Sequence, residues 1–186
     1  MHRQAYEVLP ALFTALGLDT SDQPPWLYGH SDGGSIALLY AARHPSCVAG
    51  VVVAAPHVFV EDVTVASIVA AREAYLQADL RSRLAKYHDQ PDSVFWGWNR
   101  IWLAPEFRSW SIESELGAIS CPLFAVQGLD DEYGSLRQIH AIAQQVSQTR
   151  ILELRQCGHS PHRDQPDKLI AAVTDFIHHY TRGAPP

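Results

Sequence analysis

A serine hydroxyl is a poor nucleophile until a neighbouring base takes its proton, and the base is most effective when a carboxylate fixes its tautomer. The chain carries these three residue types in the order serine, aspartate, histidine, each in a turn containing glycine. The first turn is Gly29-His30-Ser31-Asp32-Gly33. Small residues at both ends of such a turn let a strand bend so sharply into a helix that the central side chain projects outward. A short apolar run, Trp26-Leu27-Tyr28, precedes it, and Ile36 to Arg43 reads as the following helix, closed by His44-Pro45. Asp32 is a rival nucleophile, but centring the turn on it would put His30 where a small residue is required. Ser31 is the candidate nucleophile.

The base must lie on a loop at the same end of the scaffold. Of ten histidines, His159 follows a predicted strand and precedes the last helix, within Cys157-Gly158-His159-Ser160-Pro161, whereas His140 and His178 fall inside predicted helices. His159 is the candidate base. The carboxylate is open between Asp130 and Asp131, since both follow the strand predicted over Leu123 to Val126 and spacing does not choose between them. Glu132, the next residue, reads as solvated. His57, just after a core strand, is a candidate substrate contact, as is His30 inside the first turn. No metal is expected, because His159 and His162 have no helix-borne pair or cysteine pair nearby to complete a ligand set.

These turns need elements to hold them. Ala5, Val8, Leu9, Leu12, Phe13 and Leu16 share one helical face, with Gly17 as the stop. Val48 to Ala55 is almost continuously small and β-branched, the pattern of a strand buried on both faces, and Pro56 ends it. After Cys121-Pro122 come the strand over Leu123 to Val126 and a helix with Leu136, Ile139, Ile142 and Val146 on one side. Ile151, Leu152 and Leu154 form the next strand, whose charged neighbours Arg150, Glu153 and Arg155 place it near a sheet edge. The last helix starts at Pro166, carries Leu169, Ile170, Val173, Phe176, Ile177 and Tyr180 on one stripe, and ends at Gly183, leaving a frayed 183–186 tail. Strands alternating with helices predict an α/β fold, a parallel sheet with helices on both faces, binding ligands beyond the carboxyl ends of its strands.

Residues 57–119 break this alternation: they are helical, with no convincing strand, and read as a helical cap inserted between core segments 1–56 and 120–186. Phe95, Trp96, Trp98, Trp102, Phe107 and Trp110 crowd one part of it. Aromatic residues at helical spacing usually build their own core, and Trp96 and Trp98 are also candidates to line an apolar substrate pocket.

Composition removes several classes of function. The 186 residues are 47% hydrophobic and 18% charged, ordinary for a soluble globular chain. Fourteen Lys and Arg against twenty Asp and Glu give a net charge of −6 with no basic run, which excludes nucleic acid as a partner. No apolar stretch resembles a signal peptide or a bilayer span, so a cytoplasmic protein without membrane partners is expected. The odd, scattered cysteines Cys47, Cys121 and Cys157 read as buried free thiols.

Gly29-His30-Ser31-Asp32-Gly33-Gly34, Gly128-Leu129-Asp130-Asp131 and Gly158-His159-Ser160-Pro161-His162-Arg163-Asp164-Gln165-Pro166 resemble the nucleophile, acid and histidine motifs of the α/β-hydrolase superfamily. The likeness runs over nearly the whole chain and is strongest to the esterase and enol-lactonase branch with a helical cap. It implies that the acid stands three residues after the glycine of the second motif, at Asp131. It further implies hydrolysis of a small-molecule ester or lactone through an acyl-enzyme, with no cofactor, and the Asp32 N–H as an oxyanion donor. Members of the superfamily begin with further strands, and a loop after one of them supplies a second oxyanion donor; nothing before Ala5 matches it. The expectation is therefore a chain like the carboxyl-terminal two thirds of such a hydrolase, lacking the N-terminal strands. Trp26-Leu27-Tyr28 would then form an uncovered apolar edge through which the chain self-associates as a homo-oligomer. The competing reading is a weakly active or silent remnant, or a binding module, that keeps the triad but half of the oxyanion hole.

Overall fold

The computed structural model describes residues 1–182, so the expected stop at Gly183 and the frayed tail lie outside the described residues. The chain divides into two compact units, Met1–Val58 with Ile112–Pro186, and Phe59–Ser111.

In the first unit a π-helical stretch, Gln4–Val8, runs on into α1 (Leu9–Ala15). Gly17, with φ +68°, closes it: the Gly17 and Leu18 amides donate to the Thr14 and Phe13 carbonyls, which satisfies groups the helix end leaves without partners. The periodicity named the helix but not its buried face. Ala5 is buried and Phe13 meets Tyr40 edge to face, whereas Val8, Leu12 and Leu16 are exposed.

Four strands follow: β1 (Trp26–His30), β2 (Gly50–Ala54), β3 (Leu123–Gly128) and β4 (Thr149–Leu154). They pair in parallel in the order β1-β2-β3-β4. The helix between β1 and β2 is α2 (Asp32–Arg43). Every residue of β2 and β3 is buried, in keeping with their predominance of Val, Ala, Leu and Phe. β1 and β4 are half-exposed edges. Gly50 lies opposite Trp26, and a Cβ there would sit 2.2 Å from the indole ring, so the missing side chain is what lets Trp26 fold inward.

The second unit is helical: α3 (Asp62–Gln77), α4 (Leu80–Leu84), α5 (Pro91–Trp102) and a 3₁₀ turn, Pro105–Ser109. Tyr75 stacks on Phe95 at 3.8 Å, and its hydroxyl donates to Asp92, which also binds Arg81. A bridge between Phe59 and Ser111 and an ion pair between Arg108 and Asp62 join the ends of the unit. The second unit is narrower than the 57–119 cap expected from sequence. Residues 112–119 belong to the first unit, where α6 (Glu113–Leu116) lies against α2 and α7 (Arg137–Gln145), and Glu115 accepts bonds from His2 and Tyr6. Burial, then the Glu115 carboxylate, push the Tyr6 hydroxyl up to about 12, so it remains a donor.

The short α8 (Pro161–Asp164) leads into α9 (Pro166–Arg182), whose Leu169 and Phe176 join Val52, Phe124, Val126 and Leu154 in one core. These strand positions alternate with Val51, Val53, Leu123 and Ala125, which point to the opposite face, where α2 and α7 pack. Among the described residues no helix is long and apolar enough to cross a membrane.

No described strand pairs with the outer edge of β1, but the apolar edge is smaller than Trp26-Leu27-Tyr28 suggested. Trp26 turns onto Phe176 at 5.8 Å and Leu27 is half-buried; Tyr28 is 51% exposed. A groove of about 420 Å³ beside it is lined by Tyr28, His162, Leu169, Ile170, Val173 and Thr174. Unpaired edges invite pairing, and a lysine on the edge is the usual block. Light scattering at micromolar concentration is expected to give a mass above that of one chain, and Tyr28→Lys to lower it; a wild-type chain that scatters as a monomer contradicts the expectation.

Candidate active site

The elbow is built by steric exclusion. Ser31 has φ 54° and ψ −125°, in the left-handed half of the map that non-glycine residues rarely occupy. Its N–H donates to the Ala54 carbonyl at 2.9 Å, and its own carbonyl accepts from Gly34 N at 2.9 Å, fixing the backbone on both sides of the side chain. A Cβ on Gly29 would lie 2.3 Å from the Gly33 carbonyl oxygen, so no larger residue fits there. Gly34 is tight as well, with Pro56 Cβ 3.1 Å from such an atom. Gly33 is different: a Cβ there meets nothing within 4 Å, so the expectation that both ends of the turn exclude side chains holds only for Gly29. Asp32 opens α2, so its N–H stands at the positive end of the helix.

The histidine and acid loops cross at the end of β3. A Cβ on Gly128 would stand 2.1 Å from the Cys157 carbonyl oxygen, and the Leu129 and Asp130 amides donate to the Leu154 and Cys157 carbonyls at 2.8 and 3.0 Å. This stapling brings Asp131, rather than Asp130, to the imidazole: His159 Nδ1 lies 2.9 and 3.1 Å from the two Asp131 carboxylate oxygens. His159 Nε2 lies 2.9 Å from Ser31 Oγ. A carboxylate can only accept, so Nδ1 carries the hydrogen and the Nε2 lone pair faces the serine hydroxyl.

The Asp131 side chain is 1% exposed and that of His159 13%. A buried carboxylate must have its lone pairs occupied. Besides His159, Asp131 accepts from the Tyr133 and Gly134 amides at 2.8 and 3.2 Å and from Gln127 Nε2 at 2.7 Å. Gln127 also donates to the Gly134 carbonyl at 3.0 Å, which holds the acid loop closed. Sequence reasoning passed over Gln127, although a glutamine inside the apolar strand Leu123–Gly128 is the kind of signal that marks a buried polar partner.

The remaining candidates separate. Glu132 is not merely solvated, because its carboxylate accepts the His159 N–H at 3.1 Å. Nε2 of His30, a candidate substrate contact, lies 2.6 Å from the His159 carbonyl oxygen. His57 is buried with its ring 5.7 Å from that of His159, and its carbonyl accepts the Ser35 hydroxyl. Trp96 and Trp98 both pack edge-on against Phe95 within the second unit's own aromatic cluster. Cys121 and Cys157 are buried, and burial pushes each thiol up to about 11, which makes them inert near neutrality. Cys47 departs from expectation in being partly exposed. Among the described residues no group of three or more His, Cys, Asp or Glu side chains could hold a metal ion.

The model of the alpha/beta hydrolase family matches residues 3–173. The chain belongs to the alpha/beta hydrolase family. This alpha/beta hydrolase is similar in structure to a meta-cleavage product hydrolase from Pseudomonas fluorescens, with a TM-score of 0.70 at 17% identity, covering 92% of this chain and 69% of that one. It also resembles a proline iminopeptidase from Mycobacterium smegmatis, with a TM-score of 0.70 at 16% identity over 100% of this chain and 74% of that one. A third similar structure is an alpha/beta fold hydrolase from Bacillus anthracis, with a TM-score of 0.71 at 16% identity over 94% and 73%. At these identities the likeness is one of fold. A search of curated protein sequences returned no match.

The two elbow glycines make a direct test of the steric account. Gly29→Ala should destabilise the hydrolase by about 3 kcal/mol or more, since it forces backbone atoms apart. Gly33→Ala, inside α2 with open space around it, should stay within about 1 kcal/mol of wild type or gain stability. Urea denaturation of both variants measures the difference.

Proposed function

We propose that this alpha/beta hydrolase cleaves a carboxylic ester or lactone through an acyl-enzyme on Ser31. The observation that carries the reading is the continuous hydrogen-bonded line from Ser31 Oγ through the His159 ring to the buried Asp131. His159 Nε2 takes the hydroxyl proton as Ser31 Oγ bonds to the substrate carbonyl carbon, and the carbonyl electron pair moves onto its oxygen. The Asp32 N–H, at the positive end of α2, is the donor in this chain for that oxyanion. Collapse of the tetrahedral intermediate breaks the bond to the alkoxy oxygen, which leaves with the proton from His159. A water molecule then gives a proton to His159 and its oxygen to the acyl carbon, and Ser31 departs, recovering the hydrogen. Asp131 stays ionised throughout, holding the ring and stabilising its cation.

Ester chemistry is favoured because it asks least of the site: an alkoxide leaves more readily than an amide anion, so the step depends less on proton donation from His159. The proteins similar in fold are named for different substrates, a meta-cleavage product and an amino-terminal proline, so fold does not choose among them. The competing silent-remnant reading predicts no covalent chemistry at Ser31. Its discriminating observation is labelling by a fluorophosphonate, followed by intact mass.

Ser31→Ala should remove hydrolysis of short p-nitrophenyl esters and abolish fluorophosphonate labelling, while Asp32→Asn, which keeps the backbone amide, should be far milder. Equal loss from both changes would sink the assignment of the nucleophile. Asp131→Asn should lower kcat by about 10⁴-fold, because the amide favours the wrong tautomer, and Asp130→Asn should leave most of it. Steady-state kinetics on the four variants decide both points.

A further inference from the structure

His30 takes no part in the proton relay, yet its ring reaches the loop that carries the base. Nε2 lies 2.6 Å from the His159 carbonyl oxygen. Because a carbonyl only accepts, Nε2 must carry the hydrogen. Ring neighbours restrict the side chain: His162 packs edge-on at 4.9 Å and the His159 ring lies at 5.0 Å. At the other end of the same residue, the His159 N–H is held by Glu132 at 3.1 Å. The main chain of His159 is therefore gripped at both polar atoms, from a residue adjoining Ser31 and from one adjoining Asp131.

The arrangement has a mechanical logic. The Ser31–His159 hydrogen bond is broken and remade in each catalytic cycle, so it cannot by itself keep the two residues in register. A bond from residue 30 to the backbone of residue 159 lasts through the cycle, because neither atom exchanges its proton with substrate. We propose that His30 is a positioning residue, tethering the His159 loop to the elbow so that His159 Nε2 stays in line with Ser31 Oγ. The proposal rests on the reading of Ser31 and His159 as nucleophile and base.

Burial, the largest influence, holds the His30 imidazole below its usual range, with the His159 and His162 rings acting in the same direction and the bond to His159 and the Asp131 charge opposing. A neutral ring keeps its Nε2–H and adds no positive charge beside His159 when that ring becomes protonated. A neutral donor of the same reach should therefore replace it.

The test measures the rate at which a fluorophosphonate modifies Ser31 in wild type, His30→Ala, His30→Gln and Ser31→Ala, resolved into kinact and KI. His30→Ala should lower kinact about ten- to a hundredfold with KI within about threefold, the cost of a slightly misplaced base. His30→Gln, whose amide nitrogen reaches about as far as imidazole Nε2, should recover kinact to within about threefold of wild type. A rise in KI at constant kinact would make His30 a substrate contact and overturn the proposal, as would a wild-type kinact in His30→Ala. A glutamine variant as slow as the alanine one would reduce the residue to general structural support and overturn it too. Failure of the underlying reading looks different: wild type itself would go unlabelled, or Ser31→Ala would still be labelled. If His30→Ala does not fold, ¹⁵N–¹H spectra of wild-type protein give the answer, since the proposal requires a neutral His30 with a slowly exchanging Nε2–H, and the Nδ1–H tautomer would overturn it.

Discussion

Two loops have to occupy the space above one strand end, and they can do so only because residue 128 has no side chain. The Cys157 and Gly158 carbonyl oxygens lie 2.1 and 2.5 Å from where a Gly128 Cβ would be, so any other residue would push the histidine loop away from the acid loop. Everything downstream in the site follows from this contact. The Leu129 and Asp130 amides bond across it, Asp131 then meets the imidazole, and the imidazole comes within reach of Ser31. The sheet supplies the platform, since β3 is buried along its whole length between β2 and β4 and has no freedom to shift.

Backbone strain gathers at the same end of the sheet. The three described non-glycine residues with positive φ, Ser31, Ala55 and Gln156, fall immediately after β1, immediately after β2 and two residues after β4. Such conformations persist only where surrounding contacts over-determine them. Here the determinants are on view: Ser31 N to the Ala54 carbonyl, and Ala55 N to the Val126 carbonyl at 2.8 Å. Both turns are thus held by a carbonyl of the neighbouring strand, which couples the elbow to the sheet and not only to its own helix.

The sequence made the skeleton of this arrangement readable where the signal was local. Gly29 and Ser31 two residues apart, between an apolar run and a helix, announce a tight turn, and His159 stands out by following a strand and preceding the last helix, whereas His140 and His178 fall inside helices. The choice between Asp130 and Asp131 was not readable from spacing, since neighbouring residues on a loop differ only in which way they point, and that is set by the crossing at Gly128. Contacts between distant residues left no pattern either. His30 meets a carbonyl 129 positions away and Glu132 an amide 27 positions away, and neither periodicity nor composition encodes such pairs. The edge of the helical insertion is hard to read from sequence for a related reason: α6 has four residues, too few to show which side it buries.

The carboxylates on these loops give the site an electrical polarity as well as a shape. Asp131 is balanced by neutral donors, a glutamine and two amides, and not by a cation. Glu132 and Asp164 add two more negative groups, bonded to the His159 and Gly158 amides. Three carboxylates thus stand on the two loops that hold the His159 imidazole and its main chain. Under the proposed hydrolysis, an acid product formed beside Ser31 would ionise next to these carboxylates and be repelled by them, an electrostatic incentive to depart that a neutral ester or lactone entering the site does not feel.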